Sequence, residues 1–167
     1  ALNAELAGMS FSFEKGKAFY VPFPENQEEA QVLVDKFKPF FESEKIEKIG
    51  QNIKYDLKIL SHYAVQIKGK LFDTMIAHYL INPDMRHNMD VLSETYLKYS
   101  PKSIEDLIGK KGKNQKSMRD VALEDIKEYA AEDADITYQL KQNFSPLLDK
   151  AETKKLFDEI EIPLIPV

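Results

Sequence analysis

Apolar and polar positions alternate along the first part of the chain with the period of a strand, and later with that of a helix. Between residues 8 and 23, Met9, Phe11 and Phe13 alternate with serines, and a Gly-containing turn precedes a second apolar run. This pattern is typical of a β-hairpin. From Asn26, a predicted N-cap, apolar residues recur at helical spacing. The chain is therefore predicted to begin its fold with a hairpin and a helix.

Short strands and helices alternate in the middle of the chain, and a long helix follows. Strands are predicted at 46–49 and 71–72, and helical periodicity continues from each of them, over 52–63 and 73–80. The last long helix is predicted over 121–148. A hairpin, alternating strands and helices, and then mainly helices indicate an α/β fold in which helices pack on a mixed sheet.

Two of the predicted helices each carry an aspartate among their apolar positions. Asp133 follows Tyr129 by one turn on the apolar stripe of the long helix, and Asp56 lies between Ile53 and Leu60 on the apolar side of an earlier helix. A carboxylate in such a stripe is costly unless a charge, a metal ion or several donors offset it. Carboxylates from separate elements suit Mg²⁺ or Mn²⁺, and a pair of such ions supports phosphodiester cleavage. Capping of a neighbouring element, or pairing with a buried Lys or Arg, is the structural alternative.

Composition narrows the class of protein. The chain has 167 residues, of which 43% are hydrophobic and 31% charged, a net charge of −5 and no cysteine. The absence of cysteine excludes disulfides and cysteine-based zinc sites. No apolar stretch approaches the roughly 20 residues of a membrane span, so we expect a cytoplasmic protein without a membrane partner. The acidity argues against a protein that coats duplex nucleic acid, but not against an enzyme that binds a short strand.

One basic segment stands out in this acidic chain. Five cations lie within ten residues that contain no acid: Lys110, Lys111, Lys113, Lys116 and Arg119. Because neutralisation of backbone phosphates dominates nucleic-acid affinity, the segment is a candidate for phosphate contact. A solvated loop is the alternative.

Several short motifs together resemble one family. Residues 51–56 (Gln-Asn-Ile-Lys-Tyr-Asp) and 129–133 (Tyr-Ala-Ala-Glu-Asp) resemble the second and third motifs of the DnaQ-like 3′→5′ exonucleases. Residues 72–75, 86–90 and 112–115 are similar to the proofreading exonuclease domain of bacterial DNA polymerase I, family A. The resemblance implies a ribonuclease H-like α/β fold, with a mixed sheet and flanking helices.

The resemblance also implies the chemistry and the partners. Asp133 would bind the metal ion on the side of the nucleophile, Asp56 would bind a second Mg²⁺ or Mn²⁺, and Tyr129 would direct its hydroxyl at the attacking water. The substrate would be a single-stranded or frayed 3′ end of DNA. The candidate DNA contacts are Gln51, Asn52, Tyr55, Arg86, His87, Lys111 and Lys113. For Tyr55, a packed core tyrosine is the alternative.

The chain departs from the family at its first motif. The family carries an Asp-x-Glu on the first, central strand of the sheet, whereas no aspartate precedes Asp35 here. We therefore expect residues 1–158 to be an exonuclease domain that lacks this strand and is inactive alone. Residues 159–167 resemble the start of the connection to the polymerase domain of the same parent chain.

Two other interpretations remain open on the sequence. One is an RNase D-like exonuclease that acts on RNA. The other is a degenerate domain that is kept only for structure or for DNA binding, although the presence of Asp56, Tyr129 and Asp133 argues against it.

Overall fold

The computed structural model of the protein describes residues 6–110, 112 and 115–166, and four strands in this part of the chain form two separate two-stranded sheets. Strands β1 (Gly8–Glu14) and β2 (Lys17–Pro22) are antiparallel, with Phe11 opposite Phe19. This confirms the predicted hairpin. Strands β3 (Lys48–Gly50) and β4 (Leu71–Asp73) pair in parallel.

Helices connect and cover these sheets. The helical elements in chain order are α1 (Gln27–Phe41), α2 (Ile53–Ser61), α3 (Thr74–Ile81), α4 (Met89–Leu92) with a π-helical turn at Ser93–Leu97, α5 (Ile104–Ile108), a 3₁₀ turn at Met118–Asp120, α6 (Leu123–Lys150), α7 (Lys154–Leu156) with a second π-helical turn at Phe157–Glu161, and α8 (Ile162–Leu164). The Asn26 side chain accepts a hydrogen bond from the Glu29 amide at 3.0 Å, so the predicted cap of α1 is confirmed. The α/β class with flanking helices is also confirmed.

One part of the core lies between the hairpin and α1. The ring of Phe11 stacks on Phe37, with centroids 5.2 Å apart, and meets Phe40 edge to face at 5.6 Å. Val34 and Phe41 on the same helix are buried in this cluster. Aromatic pairs of this kind add to the free energy gained by burying their area. These contacts therefore fix the position of the hairpin against α1.

The second part of the core forms around α6. Leu140, Phe144 and Leu148 are fully buried at helical spacing, and they belong to one cluster with Phe72 of β4 and Phe157. The stripe predicted from the sequence is thus the buried face of this helix. It fixes the rotation of α6 about its own axis.

The other side of α6 holds the hairpin turn. The amide of Gly16, whose φ is 78°, donates to the Asp135 carboxylate at 2.7 Å. Asp135 also accepts from Gln139 at 2.8 Å. The position of Asp135 off the apolar stripe predicts a solvated side chain, and this expectation is wrong because the hairpin packs over it. Helix α6 therefore connects the hairpin to the second core cluster.

The strands of the predicted mixed sheet are divided between two sheets in the structure, one antiparallel and one parallel. Strand β3 begins at Lys48 rather than at residue 46, and β1 and β3 do not pair with each other. A cavity of about 650 Å³ lies between the residues of β1 and β3.

Within the described residues, no helix has both the length and the apolar surface needed to span a bilayer.

The buried face of α6 can be tested with two matched leucine variants. Leu140→Ala removes a fully buried side chain and is expected to lower the free energy of unfolding by about 3 kcal/mol. Leu123→Ala, on the same helix but 52% exposed, is expected to change it by less than about 0.5 kcal/mol. Urea unfolding followed by circular dichroism measures both values. Equal losses in the two variants would contradict the assignment of this face.

Candidate active site

The cavity between the two sheets brings the predicted carboxylates into one place. Residues of β1 and β3 line it, together with Tyr55, Asp56 and Asp133. Asp56 comes from α2 and Asp133 from α6. Two separate helices therefore present one aspartate each to a common space, as the sequence predicts.

Asp56 lies on the cavity wall and not in the apolar core. Ile53 and Leu60 on the same helix are buried, whereas the Asp56 side chain is exposed to the water of the cavity. The expectation of an inward carboxylate is thus corrected, because this face of α2 borders the cavity. Protein atoms nevertheless crowd the carboxylate in this concave site, and the resulting desolvation raises its pKa to about 6, with a smaller contribution from the charge of Asp73.

Asp133 and Tyr129 lie one turn apart on α6 and are both half-buried. Burial raises the pKa of Asp133 to about 6, a hydrogen bond with Tyr129 acts in the opposite direction, and the charges of Glu132 and Asp90 raise it further. The pKa of Tyr129 is raised by burial and then by the Asp133 charge. Tyr129 is therefore a neutral phenol at physiological pH and a hydrogen-bond donor beside Asp133.

The predicted DNA contacts on the turn before α2 differ in their surroundings. Gln51 donates from Nε2 to the carbonyl of His87 at 2.7 Å and accepts a hydrogen bond from Thr74 through Oε1. Asn52 is exposed and has a φ of 58°, and its side chain makes no capping hydrogen bond. The Gln51 amide therefore connects the turn before α2 to the start of α3 and to the segment that carries His87.

Of the five remaining candidate DNA contacts, three lie within the described residues. Tyr55 is 47% exposed and lines the cavity, so the alternative of a core tyrosine is excluded. Arg86 is exposed, and the half-buried His87 meets the ring of Tyr79 edge to face, with centroids 5.6 Å apart. Lys111 and Lys113 lie outside the described residues.

Arg119 of the basic segment has a structural role. Its guanidinium donates to the carbonyl of Leu6 at 3.1 Å and to that of Phe23 at 3.3 Å. These contacts hold the two ends of the hairpin together. The lysines of the basic segment therefore remain the candidates for phosphate contact.

Sequence reasoning missed the pairing of the buried His78 with the half-buried His87. Nδ1 of His78 lies 2.7 Å from Nδ1 of His87, and Nε2 of His78 lies 3.0 Å from the Tyr96 hydroxyl. Burial, followed by the neighbouring His87, lowers the pKa of His78 to about 4. The two histidines are nine residues apart and show no ligand spacing, so no local signal in the sequence pointed to the pair.

The donor set fits a hard divalent cation in its chemistry, but it is incomplete. Carboxylate oxygens are the ligands that Mg²⁺ and Mn²⁺ prefer, and the raised pKa values of Asp56 and Asp133 are shifts that a bound cation would reverse. Among the residues that the structure describes, no group of three or more His, Asp or Glu side chains is placed to hold a metal ion. These two aspartates would need further ligands.

The raised pKa of Asp133 predicts a gain in stability when its charge is removed. A carboxyl group that ionises less readily in the folded state destabilises that state as the pH rises from about 4 through its folded pKa of about 6. At pH 7.5, Asp133→Asn is therefore expected to raise the free energy of unfolding of the metal-free chain by about 1 kcal/mol, after allowance for solvent screening. The gain should disappear near pH 4. Urea unfolding at both pH values measures it.

Asp84→Asn is the control for this prediction, because Asp84 lies in an exposed turn. It should change the free energy of unfolding by less than about 0.5 kcal/mol at either pH. A pH-independent effect of Asp133→Asn would contradict the assignment.

Comparisons with known proteins identify the family of the chain. Residues 1–149 match the model of a family described as 3′-5′ exonuclease. DNA polymerase I of Pseudomonas aeruginosa is 34% identical over 177 residues, covering 100% of this chain and 19% of the relative. DNA polymerase I of Borreliella burgdorferi is 37% identical over 165 residues, covering 96% of this chain and 18% of the relative.

The chain thus spans about a fifth of the length of these curated relatives. A solved structure of Brucella melitensis NrnC with bound Mg²⁺ superposes with a TM-score of 0.73 and 22% identity, over 97% of this chain and 73% of that chain. At this identity the likeness supports the nuclease fold. On the family match and the polymerase relatives, the chain belongs to the 3′-5′ exonuclease domain family of DNA polymerase I.

Proposed function

We propose that this exonuclease domain removes nucleotides from single-stranded or frayed 3′ ends of DNA by hydrolysis with two divalent ions, and that Asp56, Tyr129 and Asp133 carry the reaction. The observation that carries the proposal is the shared cavity, to which two separate helices each contribute an aspartate. Tyr129 lies beside one of these aspartates. The family to which the chain belongs uses divalent metal ions in this reaction.

Asp133 and Asp56 are the proposed ligands of the two ions, Mg²⁺ or Mn²⁺. The charges that act most on Asp56 and on Asp133 differ: Asp73 for the first, and Glu132 and Asp90 for the second. The two carboxylates therefore lie in different electrostatic surroundings. Bound divalent ions would stabilise the negative charge that develops on the attacking and leaving oxygens.

Tyr129 would orient the attacking water. Its raised pKa keeps the hydroxyl protonated at neutral pH, so it serves as a hydrogen-bond partner and not as a base. Its hydrogen bond with Asp133 ties the hydroxyl to the carboxylate on the same face of α6. A fixed hydroxyl at this point would hold a water molecule in line for attack.

The DNA strand would lie along the wall that contains the start of α2. The exposed ring of Tyr55 offers a face for base stacking, and the exposed Arg86 offers a charge for a phosphate. Gln51, Asn52 and His87 would shape this wall, and Lys111 and Lys113 would add charge from the basic segment. The DNA polymerase I relatives favour DNA as this strand, with RNA as the alternative substrate.

We further propose that the 167-residue chain has little activity by itself. Asp56 and Asp133 are the two proposed ligands, and no group of three or more possible metal ligands occurs in the described part of the chain. The Asp-x-Glu that the family resemblance implies does not occur in the sequence. The missing carboxylates would come from outside these residues. In the same way, residues 1–158 would form the exonuclease domain and 159–167 would lead to a polymerase domain of the parent chain.

Tyr129→Phe tests the proposed role of the hydroxyl. In the full-length natural protein, we expect kcat for a single-stranded DNA 3′ end to fall about 10- to 100-fold, because the water loses its orientation, while KM changes less than about threefold. Steady-state kinetics with a 3′-labelled oligonucleotide measures both. Tyr63→Phe makes the same change at a buried tyrosine that does not line the cavity; it is the control and should retain activity. A loss confined to KM would place Tyr129 in strand binding instead.

The requirement for further ligands is tested by comparing the 167-residue chain with the full-length natural protein in Mg²⁺ and in Mn²⁺. We expect the short chain to degrade a labelled DNA strand at less than about 1% of the rate of the longer one, since loss of metal ligands costs several kcal/mol of transition-state stabilisation. Equal rates would contradict the proposal. An RNA strand of the same sequence serves as the second substrate, and preference for it would favour the RNA exonuclease. Inactivity of the long protein on both would favour a non-catalytic domain.

A further inference from the structure

Asp73, at the end of β4, is a fully buried carboxylate that bonds to two helices. Its Oδ1 accepts hydrogen bonds from the amides of Met75 at 2.8 Å and Ile76 at 3.1 Å, at the start of α3. Its Oδ2 accepts from the amide of Ile53, at the start of α2, at 2.7 Å. Only 1% of Asp73 is exposed. One side chain therefore caps two helices that begin in different strand–helix connections.

Helix α2 depends on the Asp73 carboxylate to cap its first turn. The first amides of a helix have no partner within it, and the Asn52 side chain, at the usual capping position, makes no capping hydrogen bond. Asn52 has a left-handed backbone, which aims the chain from β3 into α2. Because Gly50 pairs with Asp73 in the parallel sheet, the carboxylate lies beside this turn. The cap of α2 is thus supplied by the neighbouring strand.

A second contact reinforces the connection. The hydroxyl of Thr74 lies within hydrogen-bond distance of two acceptors, the carbonyl of Gly50 at 3.2 Å and the side-chain oxygen of Gln51, which share its single proton. Burial raises the pKa of Asp73, whereas its bonds to backbone amides lower it and favour the charged form. The positive ends of two helix dipoles also stabilise a carboxylate at this point. Asp73 and Thr74 together fix the start of α2 against β4.

The position of Asp56 follows from this arrangement. Asp56 lies three residues after Ile53 in the first turn of a nine-residue helix. A helix this short has little stability of its own, so its first turn takes its position from tertiary contacts. We infer that Asp73 is a positioning residue for the exonuclease site, which holds the Asp56 carboxylate in the cavity through the amide of Ile53. This inference rests on the proposed function, in which Asp56 binds a metal ion.

Asp73→Asn separates the two capping roles. The asparagine keeps one acceptor oxygen, which can cap α3 locally, and places an NH₂ donor where the amide of Ile53 needs an acceptor. The matched control is Asp106→Asn, which makes the same change in the capping box of α5. Asp106 is exposed and has no contact with α2 among the described hydrogen bonds.

The experiment uses the full-length natural protein and two readouts. Hydrogen exchange with mass spectrometry should show faster exchange in the peptide that spans α2, and unchanged exchange in that of α3. The Mn²⁺ concentration for half-maximal exonuclease activity should rise about fivefold, a change of about 1 kcal/mol in metal binding, while kcat at saturating Mn²⁺ stays within about twofold. Asp106→Asn should alter neither. A purely structural role would lower kcat or thermal stability without shifting the Mn²⁺ requirement.

The outcomes separate this inference from the proposed function. Unchanged exchange in α2, or an unchanged Mn²⁺ requirement, overturns the role of Asp73. A wild-type protein without metal-dependent exonuclease activity overturns the proposed function instead. Should Asp73→Asn fail to fold, Asp73→Ser supplies one hydroxyl to cap α3 and is expected to give the same two shifts. Failure of both variants to fold would show that Asp73 supports the whole domain, and would overturn the specific role.

Discussion

The packing of α6 is the constraint on which the rest of the structure depends. Its buried stripe of Leu140, Phe144 and Leu148 fixes the rotation of a helix that runs without a break from residue 123 to residue 150. Once that rotation is fixed, Asp133 must face the cavity and Asp135 must face the hairpin turn. The same apolar contacts that stabilise the fold thereby orient the carboxylate that the proposed reaction needs.

The candidate site works against the stability of the fold that supports it. Asp56 and Asp133 both have pKa values raised to about 6, so each is ionised at neutral pH at a cost in folding free energy. Such a cost at two positions around one cavity is typical of sites where charge is kept for a ligand. The core clusters on either side of α6 are apolar and offset this cost. Stability and chemistry therefore lie on different faces of the same helices.

Local patterns in the sequence predicted those features of the fold that depend on residues close together in the chain. The hairpin, the cap at Asn26 and the stripe of α6 follow from alternation, capping chemistry and helical periodicity, and all three are present. The inward position of Asp133 followed from the same stripe. For these features, neighbours in sequence are also neighbours in space.

Features that depend on long-range contacts could not be predicted in this way. Periodicity placed Asp56 in the core, because it cannot show that a cavity replaces packed side chains beside α2. An aspartate before a helical pattern, such as Asp73, predicts a cap for its own helix only, since the bond to Ile53 requires the pairing of β3 with β4. Asp135 was misjudged for the same reason: its partner, Gly16, lies 119 residues away.

The contact between the buried His78 and the half-buried His87 restricts the tautomers of both rings. With its pKa lowered to about 4, His78 is neutral and carries a single ring proton at physiological pH. Both of its nitrogens are engaged, so it must donate at one and accept at the other. Where His87 donates from Nδ1, His78 accepts at its own Nδ1 and carries its proton on Nε2. The hydroxyl of Tyr96 then accepts from His78, so the tautomer of His87 sets the direction of both hydrogen bonds that His78 makes.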